Sequence, residues 1–520
     1  DGSTGVASLD SGSNIDLSGG TVEYSGKGYA LYASNGGTIN MSNAKLILGG
    51  NAVGYEKDLS AGTFPILSGG GPMTIHVKSN GVTIMNLRNV PSSSPLNVSS
   101  LSTTLNGWAG LTSAPTHDAG AANYKMAAID GLAAYNIDQD VNKKDVAAGT
   151  ANANVNMFVR NLAVQKAKVN LLSGKNITAY LNSSDLTAIE SGIVTGLEMN
   201  SSSTATNRNE TQINLQSGSK INVDRVDSGN GAVGVFINYG EANIANGSAI
   251  NVEKSGLNAA NSGAVGVFAV NDSKVDNQGE INVGGENSIG ILGLSYRKDS
   301  TGLKKDEFGA TATSGNINVI NNGKLNLDGK NSVGVYVENN DTTGTTHSVA
   351  ATNDTNGVIT MSGESGIAMA TKLGELVNKG KINITADKGT GMFAETDGTR
   401  TANIINDTTG EISIGNSTSE SVLRTGMFTK EQKVKLINRG KINAGNNSYA
   451  IYGKNVELVP TSEINVGDNG VGIFTTSTTP ATNNIDIQAG AKFNLGKNEA
   501  VGVFLGTDAA TGVTANGVKV

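Results

Sequence analysis

Carboxylates are the first residues here that could do chemistry. Glu280, Glu411 and Glu463 hold one position of a repeating phrase. Carboxylates grouped on one face are what acid/base or calcium-assisted cleavage of an acidic polysaccharide requires. Lys220, Lys381, Lys441 and Lys492 share that position, so the column has mixed sign and reads as a solvated, partly self-neutralising face. No Asp-Asp pair, Gly-His-Gly run or Arg-rich strand accompanies it. His76, His117 and His347 are far apart in sequence, and no cysteine completes a ligand set, so they read as separate surface residues and no metal is expected. Asp10-Ser11-Gly12-Ser13 contains serines but no partner His and Asp in reach, and reads as a turn. No Gly-x-Gly-x-x-Gly opens a helix and no calcium nonapeptide runs in series. The expectation is therefore no catalytic residue, no cofactor and no enzyme, with a polysaccharide-degrading β-helix enzyme as the rival reading.

Recognition is the remaining chemistry. Trp108, Tyr124, Tyr135 and Tyr180 concentrate aromatic surface in an irregular region, and such rings either stack on the apolar face of a sugar or anchor a protein interface. They are the candidate ligand-binding residues. The competing reading is that they pack this region onto a scaffold.

The scaffold is a repeat. Lys220-Ile221-Asn222-Val223 returns with Ile250, Ile281, Ile317, Ile382, Ile412, Ile442 and Ile464 in the second place. Val233-Gly234-Val235-Phe236 returns with Phe268, Leu292, Tyr336, Met369, Phe393, Phe428, Tyr452, Phe474 and Phe504 in the fourth. Each phrase is short, alternates apolar with small or polar residues, and is bounded by Asn, Gly, Asp and Ser, as strands between tight turns are. The interval from one central Gly or Ala to the next runs from roughly 22 to 44 residues, so loops of varying length interrupt a constant coil. The shortest coil contains three strands, near Ile442, Ala450 and Val456. The spacing predicts an all-β, right-handed parallel β-helix with three short strands per coil, its handedness taken from solenoids of this length. Strands should stack at about 4.8 Å, with the Ile and Phe columns both forming apolar rows that only stacking can bury.

Residues 1–55 carry the repeat loosely, and 213–520 carry it regularly. Residues 56–212 break the rhythm: five of the seven prolines and the single Trp fall there. The Ala-rich run from Tyr124 to Tyr135 reads as a short helix. This region is expected to be an irregular insertion on continuing coils and the receptor-binding part.

The 69 glycines suit a chain of many turns around a thin core, and the regular apolar periodicity argues against disorder. A net charge of −7 with scattered Lys and Arg disfavours nucleic acid and anionic membranes as partners. The lack of cysteine fits a secreted chain without disulfides. No apolar run approaches about 18 residues, and both ends look like cuts through a longer protein.

The units at Gly440 to Ile451 and Gly279 to Ile291, with Ile320-Asn321-Asn322-Gly323-Lys324, resemble the passenger domains of large type Va autotransporter adhesins, and among them the giant fusobacterial outer-membrane adhesins. The resemblance covers Thr211 to Val520 strongly, residues 1–55 weakly and the irregular region not at all. It implies a monomeric passenger at the bacterial cell surface, exported through a C-terminal β-barrel absent from this chain. It also implies partners among host-cell glycans of the galactose/N-acetylgalactosamine type, host protein receptors such as an inhibitory immune receptor, and neighbouring bacteria. A purely structural stalk is a third reading. The matched motifs belong to the scaffold, so no binding residue transfers.

Overall fold

A computed structural model describes residues 2–58, 71–88, 93–100, 103, 111, 113–121, 124–130, 132–142, 166–181, 194–200, 211–225, 232–252, 264–295, 315–341, 347–417, 423–477, 484–507 and 518–519. Apart from a 3-10 turn at Val98–Ser100 and the helical Thr103, every regular element among them is a β-strand. The chain divides into two compact units, residues 1–139 with 149–171, and residues 140–148 with 172–520.

In the second unit three strands recur per coil, and each pairs in parallel with its counterpart one coil away. One sheet of twelve strands runs from Val141–Asn142 to Lys492–Leu495, and one of eleven from Val194–Asn200 to Val501–Thr507. A third extends from Gln212–Leu215 to Val518–Lys519. Lys381–Ile384, Glu411–Ile414, Lys441–Ala444 and Glu463–Val466 lie in unbroken register, as the repeating phrase predicts. This is a parallel β-helix. Its inward rows come from the alternation itself: every second residue faces the interior, and one coil alone has too little apolar surface to close a core.

Ile221, Ile250 and Ile281 stack directly, as do Ile382, Ile412, Ile442 and Ile464, and all are fully buried. Between these two runs stand Leu325 and Ile359, not Ile317. Ile317 belongs to the third sheet, opposite Ser273 and Val349. Its strand, Ile317–Asn321, has the same in-out alternation as the Ile phrase but ends in Asn321, a residue type that the third sheet repeats at this place.

The second column differs from its expected role. Tyr336 pairs with Ala370, and Ala370 with Phe393, so Met369 stands one place off the aromatic row and faces the opposite side. Met369 instead joins the inward row of Val335, Met392, Met427, Ile451 and Ile473, each at most 1 % exposed. The aromatic row faces outward: Tyr336, Phe393, Phe428, Tyr452 and Phe474 are half-buried and Phe504 is 43 % exposed. Their rings cover one another, with Phe393 and Phe428 5.5 Å apart and Phe474 and Phe504 stacked at 5.2 Å and 1°. The two rows should thus differ under substitution. Ile451→Ala is expected to cost about 2–5 kcal/mol, as a cavity in a sealed core does. Tyr452→Ala next to it should cost no more than about 1.5 kcal/mol of ring-ring contact beyond its partial burial. Chemical denaturation of both variants measures the difference, and equal losses would place the aromatic row in the core.

Asparagines tie the coils together in two ladders. In the third sheet, Asn277, Asn321, Asn353, Asn378, Asn406 and Asn438 are wholly buried, and each Nδ2 donates to the next Oδ1 at 2.7–2.8 Å. On the outer face of the Ile sheet, Asn251, Asn282 and Asn326 donate in the opposite sense, to Asn222, Asn251 and Asn282. These amides serve packing, as their place inside the strand phrases implies.

In the first unit parallel stacking persists where the sequence rhythm does not. Thr21–Tyr24, Lys45–Leu48, Thr74–Val77 and Thr116–His117 form one four-stranded sheet. Lys27–Tyr29, Asn51–Asp58, Thr83–Arg88 and Lys125–Asp130 form another. The Ala-rich run is therefore not helical: Lys125–Asp130 pairs with Thr83–Arg88, and Leu132–Ile137 with Lys166–Leu171. Inter-coil pairing and the burial of Met126, Tyr135 and Ile137 outweigh the helix preference of alanine.

Candidate functional site

The described part of the irregular region gathers its polar chemistry on one outward sheet face of the first unit. His76 lies opposite Thr116 in paired strands, with Ile75 and Val77 on the buried side. His76 Nδ1 is 2.9 Å from Thr116 Oγ1, and its Nε2 is 3.0 Å from Asp118 Oδ1. A carboxylate can only accept, so Nε2–H donates to Asp118; in the neutral ring Nδ1 then accepts from the Thr116 hydroxyl. Hydroxyl, imidazole and carboxylate thus stand in the order used by nucleophilic hydrolases. The setting is wet, however: the His76 and Asp118 side chains are 25 % and 54 % exposed, and water screens the fields that a secluded active site exploits. What the face offers is a cluster of oriented hydrogen-bonding groups. Lys78, in ion contact with Glu23, stands beside it; that hydrogen bond and charge hold its ammonium above the usual lysine pKa.

The four candidate aromatics fare differently. Tyr124 is half-buried, its ring 6.1 Å from that of His117 at 48°, and burial raises its phenol pKa. Its contact is with His117, whose register partner is the buried Val77 and not His76. Tyr135 is only 2 % exposed and packs in the interior of the first unit, where burial pushes its phenol well up; it presents no ring to solvent. Tyr180 lies in the strand Asn176–Leu181 of the second unit, with its backbone opposite Asp224. Trp108 lies outside the described residues.

The Thr116, His76 and Asp118 grouping escapes sequence reading because coil length is needed to see it. Thr74-Ile75-His76-Val77 and Thr116-His117-Asp118 come together only once the intervening residues are counted as one coil. Among the described residues no three His, Asp or Glu side chains converge in metal-binding geometry.

The mixed-charge column of the second unit is in register: Lys381, Glu411, Lys441, Glu463 and Lys492 follow one another. Lys441 Nζ lies 3.5 Å from Glu463, and the Asn465 amide together with Lys441 holds the Glu463 carboxyl below the usual carboxylate range. The alternation of sign gives a self-neutralised face, not a carboxylate cluster. Beside it a shallow groove of about 380 Å³ is bordered by Asn443, Asn465 and Asn494, themselves linked by amide bonds of 2.7 and 2.6 Å.

Residues 340–459 match the family described as the BigA third pectate lyase-like domain. The match falls within the regular array, so it agrees with the parallel β-helix and leaves the His76 face unmatched. Among curated proteins no sequence match is found. Of solved structures, a TibC-catalysed hyper-glycosylated TibA fragment spanning 55–350 covers 72 % of this chain and 100 % of its own at 11 % identity. Its TM-score of 0.20 is too low for that geometry to carry an argument. Among the described residues no helix is long and apolar enough to cross a membrane.

Proposed function

We propose that this chain is a non-enzymatic adhesin passenger displayed at a bacterial cell surface, in which a β-helix scaffold presents the irregular region to a ligand. The observation that carries this reading is the unbroken parallel register of the second unit, coupled with its match to a BigA domain. The ligand is a host glycan of the galactose/N-acetylgalactosamine type or a host protein receptor such as an inhibitory immune receptor. Export through a C-terminal β-barrel accounts for a cysteine-free chain, because disulfide-closed loops would obstruct threading. The contact surface is placed within residues 56–212, with Tyr124 and the Thr116, His76 and Asp118 groups as its described part and Trp108 and Tyr180 as further candidates. Tyr135 is excluded from it by burial.

Deleting residues 60–205 while preserving the folded repeat array from residue 213 onward is expected to abolish host-cell adherence, and retained adherence would refute the placement. A glycan array and a receptor screen on the 520-residue chain separate this reading from a purely structural stalk, which would bind nothing. Release of reducing sugar from an acidic polysaccharide would instead favour the enzyme that a pectate lyase-like fold could house.

A further inference from the structure

The outward aromatic row of the second unit is not needed to fill the coil, since Val335, Met369, Met392 and their successors do that from the other side. Phe393, Phe428, Phe474 and Phe504 nonetheless stand in this one row with Tyr336 and Tyr452, all of them partly exposed, while Phe236 and Phe268 continue the row into a buried cluster at 5 % and 6 % exposure. Val333 and Ile367, also outward and half-buried, run beside it. A long apolar stripe on a protein otherwise poor in aromatics marks an interaction surface.

Charge borders the stripe on both sides over three coils. On the edge before the strands are Lys330, Glu364 and Lys388, with Lys330 and Lys388 Nζ at 3.4 and 3.2 Å from Glu364. On the edge after them, Glu338, Lys372 and Glu395 stand in register, and Lys372 Nζ is 3.4 Å from Glu338. An apolar centre inside a charged rim is the anatomy of a protein interface. The rim reads plus, minus, plus on one edge and minus, plus, minus on the other. No net charge is left to attract a polyanion, and each edge is the complement of the other.

We infer that this face docks against the same face of a second copy of the chain, the two coil axes parallel. A two-fold axis in the interface, running along the stacking direction, sets one edge of each copy opposite the other edge of its mate. Lys330 then faces Glu338, Glu364 faces Lys372 and Lys388 faces Glu395, twice over. The antiparallel arrangement sets each edge against itself, so that Lys330 meets Lys388 and Glu364 meets Glu364, and like charges oppose. From Ile289–Leu294 to Val501–Thr507 the stripe is about 35–40 Å long at ~4.8 Å per coil and roughly 20 Å wide at ~3.3 Å per residue, near the ~800 Å² per partner of a standard interface. Parallel axes suit neighbours anchored on one surface better than contact between opposed cells. The pairing departs from the monomer implied by the family resemblance, and it does not depend on which ligand the first unit takes.

Sedimentation velocity of the 520-residue chain tests it. Wild type is expected to dimerise with rising concentration, and Glu364→Lys to weaken the dimer at least tenfold, because it sets like charges face to face and removes a rim pairing. Adding Lys372→Glu should restore it: the two positions lie on opposite edges of one copy, so only contact between copies can couple them. Circular dichroism of the variants confirms that each remains folded. A chain that stays monomeric throughout, a dimer indifferent to Glu364→Lys, or a double variant no better than the single one would each overturn the proposal. So would dimerisation of Glu364→Lys with wild type more strongly than wild type with itself, which is the signature of antiparallel docking.

Discussion

Gly380→Ala is expected to destabilise the coils around it by about 3 kcal/mol or more, although it adds a single methyl group. A Cβ at this position would lie 2.3 Å from Gly357 O, 2.4 Å from Asp354 O and 2.9 Å from Asn353 Nδ2. The first two are backbone atoms of the preceding coil and cannot swing aside. The φ of Gly380 is not positive, so alanine would adopt the backbone conformation without strain and the whole cost is steric. Relief requires the coils to separate, which loosens the bonds from Lys379 N and Gly380 N to Asn353 O, now 2.7 and 3.1 Å. Gly502→Ala is the control, since nothing stands within 3.8 Å of a Cβ there and the nearest atom is 3.9 Å away. Urea unfolding of both variants, with amide exchange to localise the damage, checks the contrast. Equal midpoints would show that these corners have room for a methyl group.

Gly380 also shows what a sequence can reveal. Gly323, Gly380, Gly410 and Gly440 each precede a strand-opening Lys or Glu, and a corner need was legible in that spacing. The choice between positive φ and close approach was not, because it depends on the coil below. The same limit explains the two misplaced columns. Ile317 and the true Ile row share one alternation, and alternation alone does not say which of three sheets a strand joins. Gly366-Ile367-Ala368-Met369 matches the aromatic phrase by composition, yet its register is one residue away, which turns Met369 inward and leaves Ala370 in the aromatic row.

Aromatic residues misled for a different physical reason. Large rings are normally assigned to the interior, and in the first unit Tyr55 and Tyr135 are there, but along the aromatic sheet of the second unit Val335, Met369, Met392, Met427, Ile451 and Ile473 already fill the inward row. There the rings of Phe393, Phe428, Tyr452, Phe474 and Phe504 go outside and cover one another along the stack. In the irregular region the error runs the other way: Tyr135 ends an Ala-rich, helix-like run and reads as a candidate ligand-binding ring, whereas pairing of Leu132–Ile137 with Lys166–Leu171 turns it inward. The site face was hardly legible. His76 reads from the sequence as a separate surface histidine and Thr116 carries no signal of its own; their 2.9 Å contact exists only through coil register.

Asn378→Leu should cost about 2–4 kcal/mol despite the same γ-branched shape and greater apolarity. The amide accepts from Asn353 Nδ2 at 2.8 Å and donates to Asn406 Oδ1 at 2.8 Å, at zero exposure. Asn353 Nδ2 keeps Gly357 O at 3.3 Å and Lys381 O at 3.2 Å, so its loss is softened. Asn406 Oδ1 is left facing an alkyl group, and a buried acceptor without its donor bears the full desolvation penalty. Because all five bonds of this ladder point the same way, each amide polarises the next, and breaking the middle should weaken both halves. Asn282→Leu in the outer ladder is the comparison: it removes bonds of the same length, 2.8 Å to Asn251 and 2.7 Å from Asn326, at a half-buried position that water reaches. Its expected cost is below about 1.5 kcal/mol. If the two substitutions prove equally mild, the inner amides are spectators and apolar stacking alone holds the coils in register. If the inner one is several times worse, the polar ladder fixes which residue sits over which, a task that apolar side chains of similar size cannot perform.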